Sequence, residues 1–310
     1  MTGLRITGWG SALPDNIVTN ADLASRIDTS DDWITERTGI KERRIGGTTA
    51  EHAINAGRAA LDKAGVTPDQ IDLIILATTT PDRQVPATAS TVQQGLGLSC
   101  GAFDLNAACS GFVYGLVGAL GFLKSGLDRV LVVGSETLST IVDWEDRNTC
   151  ILFADGAGAA VVERTEDDGD LLGFSMSSDG NLEYALFAER GGTLEMDGRA
   201  VFKNAVLVME KAAHEAMEMA GVTPDDIDHV IPHQANIRII EASCKRLGIP
   251  SDKAITVLDY TGNTSSASVP LAMVDALEAG RIHKDEMVLM VGFGAGMTSA
   301  ATVLRWSADT

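Results

Sequence analysis

Ala64-Gly-Val-Thr-Pro-Asp-Gln-Ile-Asp72 returns 156 residues later as Ala220-Gly-Val-Thr-Pro-Asp-Asp-Ile-Asp228, with eight of nine positions identical. A helix stopped by glycine, a Pro-Asp turn and an apolar strand (73–77, then 229–231) therefore occur twice, half a chain apart. The correspondence continues: residues 101–126, Asp128 and Val130-Leu-Val-Val-Gly134 match 255–280, Asp285 and Val288-Leu-Met-Val-Gly292 in pattern. Such a period is too long for a solenoid. It reads as a duplicated α/β domain, residues 1–166 and 167–310, joined in the polar stretch Arg164-Thr-Glu-Asp-Asp-Gly-Asp170. Apolar strands alternating with helices predict mixed, mostly parallel sheets covered on both faces.

The repeat also accounts for two unusual apolar helices. Residues 110–124 carry Gly111, Gly115 and Gly118 at helical spacing, and 265–279 carry Ser268, Ala272, Ala276 and Ala279. Interior glycine costs a helix about 1 kcal/mol against alanine, so the stripe predicts close packing of these two helices on each other at the centre. Their N-terminal ends then converge, Cys109 before the first and Asn263 before the second.

Bulk properties exclude several classes. A net charge of −19 argues against nucleic-acid binding, which needs clustered Lys and Arg. The N-terminus shows no signal-peptide pattern, and the longest apolar run (112–123) is too short to span a bilayer, so a cytoplasmic protein is expected. Four cysteines without C-x-x-C spacing suggest neither disulfides nor a metal site. Cys100, Cys150 and Cys244 read as packing residues.

Cys109 differs, because it sits between a strand (101–106) and a helix N-terminus, where the dipole and free N–H groups favour thiolate. The plain alternative is a small buried hydrophobe. A nucleophilic cysteine needs a partner. Of five histidines, His52 and His214 read as surface residues, His229 opens a strand and His283 lies in an exposed turn. His233, in Val230-Ile-Pro-His-Gln-Ala-Asn236, falls where a buried strand ends, the place where α/β sheets gather catalytic groups. Gly292-Phe-Gly-Ala-Gly296 lacks the context of a dinucleotide loop and better supplies backbone N–H groups to an oxyanion. Asp155-Gly-Ala-Gly158 reads as a tight turn.

Asn106-Ala-Ala-Cys-Ser-Gly111, His233-Gln-Ala-Asn-Ile-Arg238, Gly262-Asn-Thr-Ser265 and Gly292-Phe-Gly-Ala-Gly296 resemble β-ketoacyl-acyl carrier protein synthase III of the thiolase superfamily. Asp32-Trp-Ile-Thr-Glu-Arg-Thr-Gly-Ile40 and Phe153-Ala-Asp-Gly-Ala-Gly-Ala-Ala160 extend the likeness nearly end to end. The resemblance implies a five-layered αβαβα fold, a homodimer, and no cofactor beyond the substrates acyl-CoA and malonyl-acyl carrier protein. It makes Cys109 the acyl carrier and gives His233 and Asn263 the malonyl thioester oxygen. The backbone of Cys109 and Gly294–Ala295 would form the oxyanion hole, with alanine standing where the family has glycine. Trp33, Arg37, Arg147, Asn236 and Arg238 would bind CoA; Lys203, Arg238, Lys245 and Arg246 would dock the acidic carrier protein. Phe293 and Val85 would shape the acyl pocket, Val85 standing where some members carry phenylalanine from the partner subunit. Ser299-Ala300 replaces the family's Trp-Gly. These departures leave the primer open. Because the sequence does not name the acceptor, an acyltransferase or condensing enzyme of secondary metabolism is an alternative, and a non-enzymatic one is an inactive acyl-CoA-binding homologue.

Overall fold

In the computed structural model, which describes residues 2–308, the two copies of the repeat build two sheets of matching order. Strands β1 (Gly3–Ala12), β2 (Leu73–Ala77), β3 (Gly101–Leu105), β4 (Arg129–Thr137) and β5 (Asp155–Thr165) lie in the order β1-β5-β4-β2-β3. Strands β6 (Leu171–Ser178), β7 (His229–Pro232), β8 (Met287–Gly294) and β9 (Thr298–Arg305) lie in the order β6-β9-β8-β7. Both sheets are mixed. Parallel pairing runs through β4, β2 and β3 and through β7 and β8; the other pairings are antiparallel. The fifth strand of the second half is reduced to one parallel bridge, Val230 to Ala254.

Helices α1 (Asp31–Thr38), α2 (Thr49–Ala64), α3 (Thr88–Gly95), α4 (Gly111–Lys124), α5 (Gly198–Ala220), α6 (Ile237–Leu247) and α7 (Ser268–Glu278) complete the fold. Local chemistry sets the limits of the repeated pair. Thr48 caps α2 through a capping box with Glu51, and Asp197 caps α5 by accepting from Arg199 N and Ala200 N. Gly65 (φ 66°) and Gly221 (φ 71°) end them in the left-handed region, where a side chain would be strained. Helices α2 and α3 cover the outer face of the first sheet and α5 and α6 that of the second, while α4 and α7 lie between the sheets. This is the five-layered αβαβα fold, with apolar clusters filling the interfaces between layers.

Four sequence expectations change. The glycine stripe of α4 faces the first sheet rather than α7: a Cβ at Gly115 would lie 2.8 Å from Val132, and one at Gly111 would lie 2.9 Å from Ala77. The stripe seats the helix on β2 and β4. Asp155-Gly-Ala-Gly158 is not a turn but the start of β5. Its small residues admit α7, since a Cβ at Gly158 would sit 2.7 Å from Pro270. His52 is buried, not at the surface; its Nε2 lies 2.6 Å from the Gly46 carbonyl. The matching turns before α4 and α7, Ala108–Ser110 and Ser265–Ala267, are 157 residues apart rather than the 154 implied by the sequence match. Helix α4 has 14 residues and α7 has 11, so the offset shrinks by three along them.

Candidate active site

Cys109 and Ser266 are therefore counterparts, each central in a tight turn entered by a positive-φ residue (Ala108 and Ser265, both φ 48°). The two turns share a device. Asn106 Oδ1 accepts from Ala108 N at 3.2 Å, and Asn263 Oδ1 accepts from Ser265 N at 2.9 Å. In the second turn this leaves the Asn263 amide N–H₂ as the free end of the side chain. The segment is held from behind as well, since Asn263 N donates to Leu152 O and Ala154 N donates to Asn263 O, each at 2.9 Å.

Cys109, His233, Asn263 and Phe293 line one cavity of about 980 Å³, whose mouth carries Trp33, Arg37, Asn236 and Arg238. His233 sits just past β7, fully enclosed, its Nδ1 2.6 Å from Ser268 Oγ and its ring edge-on to Phe293 at 5.3 Å. Ser268 Oγ also accepts from Gln234 N at 3.3 Å. When the Ser268 hydroxyl donates to His233 Nδ1, the imidazole proton lies on Nε2. Burial lowers the His233 pKa to about 3, so the ring is neutral at any working pH.

Cys109 reverses one expectation. The thiol is buried, and burial pushes its pKa up to about 12. A hydrogen bond from the Ser265 side chain opposes this and the Glu136 charge adds to it, so the resting form is the thiol, not the thiolate. Burial outweighs a helix terminus because a buried thiolate loses the water that would solvate its charge. Beside it, Gly294 is packed so closely that a Cβ there would lie 2.5 Å from Cys109 N. Ala295 avoids the positive-φ region and Gly296 (φ 117°) takes it instead. The alanine therefore sits in ordinary backbone geometry.

Of the residues assigned to CoA, Trp33 is half-buried at the mouth, with the Arg37 guanidinium 4.3 Å and the Arg147 guanidinium 5.1 Å from its ring centre. Arg147 also donates to the Asp28 carbonyl at 2.9 Å. Asn236 lines the cavity and caps α6 through Arg238 N at 2.9 Å. Lys203, Arg238 and Lys245 are exposed, whereas Arg246 is engaged by Glu210 at 2.5 Å. Val85 does not reach the cavity of its own chain; it is 80% exposed on a loop. Sequence reading missed Ser268, Ser265 and Glu136. The signal for the serines was in view: hydroxyls at a helix start, where alanine would pack as well, indicate hydrogen bonding.

Sequence models of 3-oxoacyl-[acyl-carrier-protein] synthase III match residues 103–180, and those of its C-terminal part match 217–306. A β-ketoacyl-[acyl-carrier-protein] synthase III of Roseiflexus castenholzii is 48% identical over 98% of both chains. The chain belongs to this synthase III family. A solved synthase III structure from Aquifex aeolicus superposes with a TM-score of 0.96 at 48% identity, covering 98% of this chain and 100% of that one. The priming β-ketosynthase of the R1128 polyketide pathway superposes at 0.94 with 36% identity, covering 99% and 97%. Cys109, His233 and Asn263 line one cavity here, in the environments described above.

Proposed function

We propose that the protein condenses an acyl-CoA primer with malonyl-acyl carrier protein to give 3-oxoacyl-acyl carrier protein and start fatty acid synthesis in the cytoplasm. The observation that carries this is the meeting of the buried Cys109, His233 and Asn263 in one cavity that is also lined by Trp33, Arg37 and Arg238. In the first half-reaction Cys109 Sγ attacks the acyl-CoA carbonyl, the carbon–sulfur bond to CoA breaks, and the thiol proton ends on the departing CoA sulfur. The tetrahedral oxyanion lies against Cys109 N–H and the Gly294–Ala295 backbone. In the second, the malonyl carboxylate leaves as CO₂ and its electron pair forms an enolate. His233 Nε2–H and the Asn263 amide donate to the enolate oxygen. The enolate carbon then attacks the acyl-cysteine, expelling the Cys109 thiolate, which regains a proton from solvent. These groups supply the chemistry without a cofactor.

A homodimer is supported by the free edge of the first sheet. Among the described residues strand β3 pairs only with β2, and its half-buried Phe103 packs on exposed Phe122 at 6.1 Å. Asp104 of β3 accepts from Thr88 N and Ala89 N, which ties the Val85 loop to this edge. A second copy added at the edge would bring Val85 toward its acyl pocket. Lys203, Arg238 and Lys245 offer a local positive field to an acidic carrier protein on a chain of net charge −19.

With purified protein, acyl-CoA and malonyl-acyl carrier protein should give the 3-oxoacyl product, and Cys109→Ala should abolish it. Full condensation by that variant would overturn the proposal. The likeness to the R1128 ketosynthase supports a second reading, priming of a polyketide, which a comparison of carrier proteins as acceptors distinguishes.

A further inference from the structure

The duplication assigns every active-site position a counterpart in the other half. Ser266 answers to Cys109, Ala77 to His233, Asn106 to Asn263, and Glu136 near the end of β4 answers to Gly294 at the end of β8. Where Gly294 packs bare backbone against Cys109 N, the corresponding position of the other half carries the Glu136 carboxyl group, with 0% exposure. Glu136 Oε2 accepts from Thr80 Oγ1 at 2.6 Å, Thr79 Oγ1 and Thr79 N at 3.0 Å, Thr80 N at 3.1 Å and Thr78 Oγ1 at 3.2 Å. Its Oε1 lies 2.9 Å from Ser266 Oγ, which is also 2.8 Å from the Ala77 carbonyl.

Ser266 belongs to the turn that orients both enolate-stabilising groups. Its neighbour Ser265 N fixes Asn263 Oδ1, and Ser268 Oγ, two residues on, fixes His233 Nδ1. The turn rests on β4, where a Cβ at Gly134 would meet Ser266 O at 2.3 Å. We infer that Glu136 is a positioning residue for the decarboxylation half-reaction, clamping the 265–268 turn from the opposite half of the duplication through Ser266. It anchors that turn to the 78–80 loop, so the amide and imidazole keep their aim while CO₂ departs. The inference rests on the proposed condensing function.

The two half-reactions can be measured apart: acyl transfer from labelled acyl-CoA to Cys109, and release of CO₂ from malonyl-acyl carrier protein, each per Cys109 titrated by alkylation. Glu136→Gln keeps the shape but loses acceptor capacity. Ser266→Ala removes the strap alone and leaves the threonine donors satisfied, so it reports even if Glu136→Gln folds poorly. Each should slow CO₂ release by about tenfold or more, while acyl transfer changes by less than about threefold. The double variant should be no slower than the worse single one, because the two act in series. Equal losses in both half-reactions, or no loss in either, would overturn the inference alone. Wild-type protein that accepts acyl groups yet never releases CO₂ would overturn the functional proposal and this inference with it.

Discussion

At the scale of residues, the site is a set of polar atoms held dry. A thiol whose pKa burial pushes up to about 12 stays protonated until a thioester carbonyl is presented to it. Alkylation of the unliganded protein by iodoacetamide should therefore keep accelerating through pH 10 without a plateau near the ordinary thiol value; a plateau near pH 8.5 would contradict this. His233 sets a second pH dependence. Its folded value of about 3 lies below the ordinary imidazole value of 6.5, so between those pH values the unfolded chain binds a proton that the folded chain does not. The stability linked to it is present above pH 6.5 and is lost as pH falls toward 3, by about 1.4 kcal/mol per pH unit. Denaturation curves of wild type and His233→Asn should differ in slope by that amount in this window. Cys109, His233 and Asn263 were legible as residues because each stands at a strand–helix junction within a distinctive run. The hydroxyl of Ser268 showed at a helix start, but its partner, 35 residues away, did not, and Glu136, whose partner lies 130 residues away, left no sign at all.

At the scale of elements, small residues decide how closely each layer approaches the next. Gly294 has extended backbone (φ −160°) that any residue could adopt, so its requirement is purely one of space. Alanine there would drive a Cβ to 2.5 Å from Cys109 N and 2.7 Å from Ala108 Cβ. Gly294→Ala should thus lower acyl transfer to Cys109 by about 100-fold, as loss of an oxyanion donor does, with a smaller effect on CoA affinity measured by calorimetry. An unimpaired variant would show that the β8 end does not bound the oxyanion site. The helices and their stops could be read from the chain because caps and glycine stops are local. The direction of the glycine stripe could not, because helical spacing shows which residues share a face and not what that face meets.

At the scale of the whole molecule, two similar halves contribute unequal chemistry to one site. In the proposed reaction the first supplies the nucleophile and the second the enolate-stabilising pair; we place their division at residues 166/167, in the loop between β5 and β6. If two copies join at the edge of β3, sedimentation equilibrium should give twice 32.6 kDa. Val85→Phe should then reduce use of long acyl-CoA more than that of acetyl-CoA, read by competition between primers. A monomeric mass, or an unchanged chain-length profile, would remove Val85 from the acyl pocket. Among the described residues no helix is long and apolar enough to cross a membrane.

The nine-residue repeat, the alternation of apolar strands with capped helices and the runs around Cys109, His233 and Asn263 are local patterns. They were enough to establish the duplicated α/β architecture and the likeness to the condensing enzymes. Contacts between the halves settled everything that depends on distance and solvent. Burial made Cys109 a thiol at rest, against the pull of the helix terminus. The 157-residue register revealed Ser266 as its counterpart, and the packing of α7 on β4 brought Glu136 beneath the turn that aims His233 and Asn263. A carboxylate 130 residues from its serine leaves no periodic trace in the chain; only the closing of one half upon the other gives it a partner.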